Sequence, residues 1–188
     1  MCFEKMIQTK KELFEFLTYE KKAYIKGGLL EEYKLRIGKN PMYLIWHYQR
    51  LLRLTEYYYN TGKKVRYFFH RRRKNKAGAE LGIQIEHNVF DKGLIIYHYG
   101  SIIVHRDAKV GRNCRLHGEN CIGNKGIKEE DNVPVIGDNC DLGVGAKVLG
   151  KIVLGNNITI GANSVVTKSF TEGNVMIAGL PGVIKKHM

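Results

Sequence analysis

From Val104 onward an aliphatic residue returns at every sixth position: Val104, Val110 and Leu116, then Ile136, Leu142, Val148, Leu154, Ile160 and Val166. Gly is frequent at the second position of each unit. The fifth is small or medium-sized in Ala108, Cys114, Cys140, Ala146, Ile152, Ile158 and Ser164. A helix needs apolar residues every three to four positions, and a hairpin sheet needs alternation broken by turns. Neither fits. A period of six with one aliphatic position predicts a solenoid: each unit is a short strand and a turn, and three units close a triangular coil. Successive coils then stack as parallel strands about 4.8 Å apart, with the aliphatic side chains lining a dry interior. Gly, Asn and Asp at the turns tolerate left-handed backbone angles. Between Ile122 and Ile136 the period slips, because two units need 12 residues and the chain takes 14. Residues 123–135 are therefore expected to leave the coil as a loop, and loops on a rigid repeat scaffold often carry function.

Upstream the pattern is helical. Thr9 and Glu12 are spaced as a capping box, and Leu13, Phe14, Phe16 and Leu17 follow as an apolar face. Asn40 before Pro41 is a second start signal, opening a long aromatic helix from Met42 to about Tyr59 that Asn60, Thr61 and Gly62 end. The run VRYFFHRRRKNK, residues 65–76, reads first as a helix with a solvated basic face, packed through Tyr67 and Phe68. Attraction of residues 63–76 to an anionic glycan or membrane surface is the second reading. Nucleic-acid binding comes last, since the run has charge but no reading motif. The chain thus divides into a basic α-helical segment, 1–82, and a repeat domain, 83–188.

Composition sharpens that division. The net charge is +13, and residues 1–80 hold nineteen Lys/Arg against eight Asp/Glu, while residues 81–188 hold twelve against ten. The two segments have different jobs. With 44% apolar residues the chain can bury a core. No apolar run reaches the roughly 20 residues of a membrane span, and the start, MCFEKMIQTKK, lacks a secretory pattern. A cytoplasmic protein is expected, at most peripheral to the inner face of the membrane. Cys2, Cys114, Cys121 and Cys140 form no CxxC pair and are expected as reduced, buried thiols.

One residue interrupts the apolar logic. In LIIYHYGSIIV, residues 94–104, His98 stands between Tyr97 and Tyr99. It is either a buried, satisfied imidazole or a base, since a neutral imidazole has the basicity to activate a hydroxyl at neutral pH. His117 follows 19 residues later, and one coil takes about 18 residues on this period. The two can lie on neighbouring coils, with His117 a second polar group at an acceptor site. His105 is expected at the surface, and His47, His70, His87 and His187 carry no signal.

The hexad run, the closing AGLPGVIKK, and His98-Tyr99-Gly100-Ser101 followed by Ala108-Lys109-Val110-Gly111 resemble the hexapeptide-repeat acyltransferases, and within them the serine O-acetyltransferases. The resemblance runs from about Gly93 to Ile184. It implies an all-β left-handed parallel β-helix preceded by the α-helical segment, a homotrimer with active sites between subunits, acetyl-CoA as co-substrate and no metal. It makes His98 the general base. It places pantetheine against the turns at Gly143, Val144, Gly145, Gly161 and Ala162, with Lys185 and Lys186 near the adenine and its phosphates. Three positions depart from the family pattern. Tyr97 stands where those enzymes carry an Asp that grips serine, Val133 replaces a His before Pro, and the Asp that orients the base maps onto Gln84 or Glu86. Tyr97, Tyr99 and His117 are expected to face the acceptor; the departures weigh against L-serine, and the basic, Tyr-rich leader resembles those of the branch that decorates capsule or O-antigen polysaccharide. The expected reaction is acetyl transfer to a saccharide hydroxyl. The alternatives are serine O-acetylation, a zinc enzyme of the γ-carbonic-anhydrase type, which needs a closely spaced pair of histidines that this sequence lacks, and a non-catalytic polyanion-binding scaffold.

Overall fold

The helices begin where the sequence supplies acceptors for their free N–H groups. In α1 (Lys10–Lys21) the Thr9 hydroxyl accepts from Glu12 N at 3.1 Å, and the Glu12 carboxylate accepts from Thr9 N at 2.9 Å. In α3 (Pro41–Asn60) the Asn40 side chain accepts from Met42 N at 2.9 Å. Between them lies α2 (Leu29–Ile37), which the sequence reading did not predict: its N-cap is Gly28, with no side-chain cap. α4 (Lys64–Leu81) follows. This is a computed structural model, and it describes residues 7–126 and 132–188. Cys2 and part of the expected 123–135 loop lie outside the described residues.

α4 corrects one expectation. It packs through Lys74, Gly78 and Leu81 rather than through Phe68, which is 69% exposed. The 3.6-residue period sets Phe68 well to the side of the buried stripe.

Fourteen short strands are found among the described residues. They run β1 (Ile83–Gln84), β2 (Ile95–Ile96), β3 (Ile102–Val104), β4 (Lys109–Val110), β5 (Arg115–Leu116), β6 (Cys121–Gly123) and β7 (Val135–Ile136), then β8 (Asp141–Leu142), β9 (Lys147–Leu149), β10 (Val153–Leu154), β11 (Ile158–Ile160), β12 (Val165–Val166), β13 (Val175–Ala178) and β14 (Val183–His187). They stack into three faces of a left-handed parallel β-helix. The first face is β1-β3-β6-β9-β12, the second β4-β7-β10, the third β2-β5-β8-β11-β13. β14 turns back antiparallel on β13 and closes the C-terminal end. Every hexad aliphatic from Val104 to Val166 is at most 3% exposed, so the period of six is the period of the core. Asn113, Asn139, Asn157 and Asn174 stack at one corner with positive φ, each amide bonded to the next at 2.9–3.1 Å. Cys114 and Cys140 are buried free thiols, and Cys121 is half-buried.

The slip before Ile136 is larger than the count of sixes implied. Ile136 is in register with Val110, 26 residues back, whereas Leu154 is in register with Ile136, 18 back. One unit plus eight extra residues separates Ile122 from Ile136, not two units plus two.

The helices cover the open N-terminal end of the solenoid. The first coil has no coil beneath it, so its buried N–H and C=O groups need other partners. Arg53 donates to Phe90 O at 2.7 Å and Asp91 O at 2.8 Å, and Gly93 N donates to Glu20 at 3.0 Å. Gln49 donates to Leu94 O at 2.8 Å, Ile96 N donates to the Tyr24 hydroxyl at 2.7 Å, and Lys74 donates to Ile85 O at 2.8 Å. Arg53 is fully buried and paired with Glu20 at 2.7 Å and Glu56 at 3.0 Å. Around these groups a single hydrophobic cluster runs from Trp46, Tyr48 and Leu52 into Ile85, Phe90 and Ile96.

Candidate active site

His98 sits on a bulged corner. From Ile96 to Val104 the chain takes eight residues, where the next coil, from Leu116 to Ile122, takes six. The two extra residues push the corner outward. The end of α4 supports it: Gly100 N donates to Leu81 O at 2.8 Å, and Ile102 N to Gly82 O at 2.9 Å. Gly82, the left-handed cap of α4 (φ 66°), is required here, because a Cβ would lie 3.0 Å from Ser101 N and 3.2 Å from Gly100 Cα.

The His98 side chain is exposed and makes no hydrogen bond or ion pair among the described residues. It lies over Gly118 of the next coil, where an added Cβ would come within 3.3 Å of its own Cβ. The coil holding His98 takes 20 residues, so Tyr97, not His98, packs on His117, the rings tilted with centroids 4.6 Å apart. His117 Nε2 lies 2.7 Å from Asp141 Oδ1, and Arg115 lies 3.4 Å from the other carboxylate oxygen. Tyr97 and Tyr99 are 37% and 46% exposed on either side of His98. The spacing of 19 therefore brings His98 and His117 to adjoining coils, one position out of register.

The residues expected to orient His98 have other settings. Gln84 is exposed on the first face, in register with Ile103. Glu86 is 3.2 Å from Lys74 and 3.4 Å from His87, whose ring packs 4.1 Å from Tyr59. Contact with His87 and the Lys74 cation hold the Glu86 carboxyl down to about 2, against its burial. Neither Gln84 nor Glu86 contacts His98 within one chain.

Two carboxylates went unremarked in the sequence. Asp141 is engaged as described. Glu119 lies on the turn beside His98: its N–H donates to Gly100 O at 3.1 Å, it has φ 55°, and its carboxylate is exposed and without a partner among the described residues. Its nearness to His98 depends on the 20-residue coil, which no local signal announces.

The remaining site residues continue the same corner. Gly145 N donates to Gly118 O at 3.0 Å and Asn163 N to Val144 O at 2.8 Å. His98, Gly118, Val144 and Ala162 thus rise one above another on four coils, about 14 Å in all at the usual strand spacing. Gly143 and Gly161 flank the column, and a Cβ on Gly143 would meet Ala162 N at 2.8 Å. Lys185 and Lys186 are exposed on β14, Lys186 in register with Met176 at the far end of the third face. The result is a ledge of turns on four coils with His98 at one end, and Lys185 and Lys186 stand apart from it on β14. No group of three or more His, Cys, Asp or Glu able to hold a metal ion is found among the described residues.

Hexad coils, closed turns and one outward histidine place the chain in the left-handed β-helix class of hexapeptide-repeat proteins. Comparison narrows this. No family model matches the chain. It is 33% identical over 105 residues to a serine acetyltransferase of Synechococcus elongatus, covering 56% of this chain and 39% of that protein. It is 35% identical over 110 residues to the serine acetyltransferase of Staphylococcus aureus strain Mu50, covering 58% and 47%. The chain spans about half or less of the length of these curated relatives. In three dimensions it resembles the crystal structure of serine acetyltransferase in complex with coenzyme A from Brucella abortus strain S19, with a TM-score of 0.75 and 26% identity, over 95% of this chain and 70% of that one. That match takes in the helical segment, the part that resembles the leaders of polysaccharide-decorating enzymes. The comparisons lend that branch no support. No helix of the described residues is long and apolar enough to cross a membrane.

Proposed function

We propose that this chain is an acetyl-CoA-dependent O-acetyltransferase whose acceptor is the hydroxyl of L-serine, with His98 as general base. One observation carries the reading: the only histidine on the bulged corner stands at the head of the stacked turns, in a chain similar in sequence and shape to serine acetyltransferases. The neutral imidazole takes the hydroxyl proton as the oxygen attacks the thioester carbonyl. The C–S bond then breaks, and the imidazolium returns its proton to the leaving thiolate. The ledge at Gly143, Val144, Gly145, Gly161 and Ala162 receives pantetheine, since small residues allow close backbone approach. Lys185 and Lys186 meet the phosphates as point charges. Glu119 supplies the anion for the serine ammonium that Tyr97 cannot. A homotrimer, as the family resemblance implies, would set a partner surface opposite His98.

A second reading, transfer to a saccharide hydroxyl, draws on Tyr97, whose exposed ring beside His98 suits a sugar face better than an ammonium group. Thiol release from acetyl-CoA separates the two, with L-serine compared against nucleotide sugars and capsule oligosaccharides. Turnover on serine is expected, with a drop of about 10²–10⁴ in kcat for His98→Ala and a raised KM for serine in Glu119→Gln. Near-full turnover by His98→Ala would sink the base assignment. Turnover on a saccharide alone would replace serine as the acceptor.

A further inference from the structure

Helix α4 turns toward solvent a face that nothing in the described chain covers. Val65 is 85% exposed, Phe68 69% and Phe69 55%. With Arg72 and Lys76 they occupy positions i, i+3, i+4, i+7 and i+11, one stripe of an α-helix. The opposite side, with Lys74, Gly78 and Leu81, is buried toward α3 and β1. Residues 63–76 hold eight Lys/Arg and no Asp or Glu, and Lys74 alone of the eight is buried. The seven exposed cations form no ion pair among the described residues. The Arg73 guanidinium lies 5.4 Å over the Phe69 ring, so charge and aromatic surface are interleaved on one side. α2 is a useful contrast. It exposes Leu29, Leu30, Tyr33 and Ile37, but Glu31 and Glu32 stand among them, and its charge names no partner.

We propose that this face of α4 docks the protein on an anionic lipid bilayer. Phe68, Phe69 and Val65 enter the boundary between headgroups and acyl chains, and the surrounding Arg and Lys side chains meet lipid phosphates. A soluble polyanion would satisfy the cations and leave three large apolar side chains in water, whereas a bilayer surface takes both. The inference is independent of the reaction assigned to His98.

The test is co-sedimentation of the full chain with vesicles of phosphatidylcholine alone and of phosphatidylcholine mixed with phosphatidylglycerol. It is run in about 0.1 M and about 1 M salt, between which the Debye length falls from about 10 Å to about 3 Å. The proposal expects binding to the anionic vesicles only, weakened by salt. Phe68→Ser combined with Phe69→Ser should abolish it. Arg72→Gln should weaken it about fivefold, the equivalent of one cation near the surface. Circular dichroism and solution mass should not change in either variant, because all three side chains are exposed. No binding to anionic vesicles, equal binding to neutral ones, or unaltered binding by the Phe variant overturns the proposal. So does a change in oligomeric mass of the Phe variant without lipid, which would make the face a contact between copies of the chain. Retention on dextran sulfate without vesicle binding overturns it in favour of a soluble polyanion.

Discussion

Arg53→Met should be among the most damaging single substitutions outside the repeat core. Arg53 is fully buried, ties Glu20 of α1 to Glu56 of α3, and donates to two carbonyls of the first coil. Met fills much of the same volume and removes every donor. Breaking a buried ion pair from one side costs about 3–5 kcal/mol, a large part of the roughly 5–15 kcal/mol that holds a domain together. With an m value of about 2 kcal/mol/M in urea, the unfolding midpoint should fall by about 2 M. Urea titration at fixed protein concentration, followed by circular dichroism, measures this. Arg106→Ala is the control: its pair with Asp107 spans 3.5 Å between side chains 74% and 54% exposed, so its loss should be under about 1 kcal/mol. The deficit of Arg53→Met should also depend on pH. Burial already raises the Glu56 carboxyl with Arg53 present, and without the cation that carboxyl rises further. A group whose folded pKa is raised contributes most below its unfolded pKa, about 4.3, and loses that contribution as pH rises through the folded value. The variant should therefore lie closer to wild type at pH 4 than at pH 8. A loss of less than about 1 kcal/mol, or a deficit that grows toward acid, would refute the view that these side chains take the place of a missing coil.

Glu86 has the opposite sign. Its carboxyl is depressed to about 2, so its stabilising contribution is full above about pH 4.3 and should vanish as pH falls toward 2, an acid loss that Glu86→Gln would lack in the same urea titrations. Gly82→Ala should cost about 1–2 kcal/mol at a left-handed cap and also lower kcat/KM, because its Cβ presses on the Gly100 and Ser101 backbone that carries His98; full activity would show that the corner does not depend on α4. Gly118→Ala, whose Cβ would come within 3.3 Å of His98 Cβ at a φ of 110°, should lower kcat more than it raises the KM for acetyl-CoA; a pure KM effect would place His98 away from the chemistry.

The repeat, its buried aliphatics and the capped starts of α1 and α3 were legible because each is set by neighbours close along the chain. The period of six survives as the core itself, and Thr9, Glu12 and Asn40 bond within their own first turns. His98 could be picked out because an imidazole in an apolar run has few uses. What surrounds His98 was not legible. Whether a coil takes 18, 20 or 26 residues depends on which strands pair, and pairing joins residues a full coil apart. The two extra residues at the corner moved His117 beneath Tyr97 and brought Glu119 up beside His98. Glu86, in the right stretch to orient a base, instead pairs with Lys74 of α4 and with His87. The same holds for Phe68: its apolar character is local, but its exposure follows from the stripe of α4 that α3 and β1 bury. The sequence by itself determined the period, the dry interior and the candidate base. Tertiary structure decided the register, and with it which charges and rings stand around that base, because register is a property of strands brought together across whole coils.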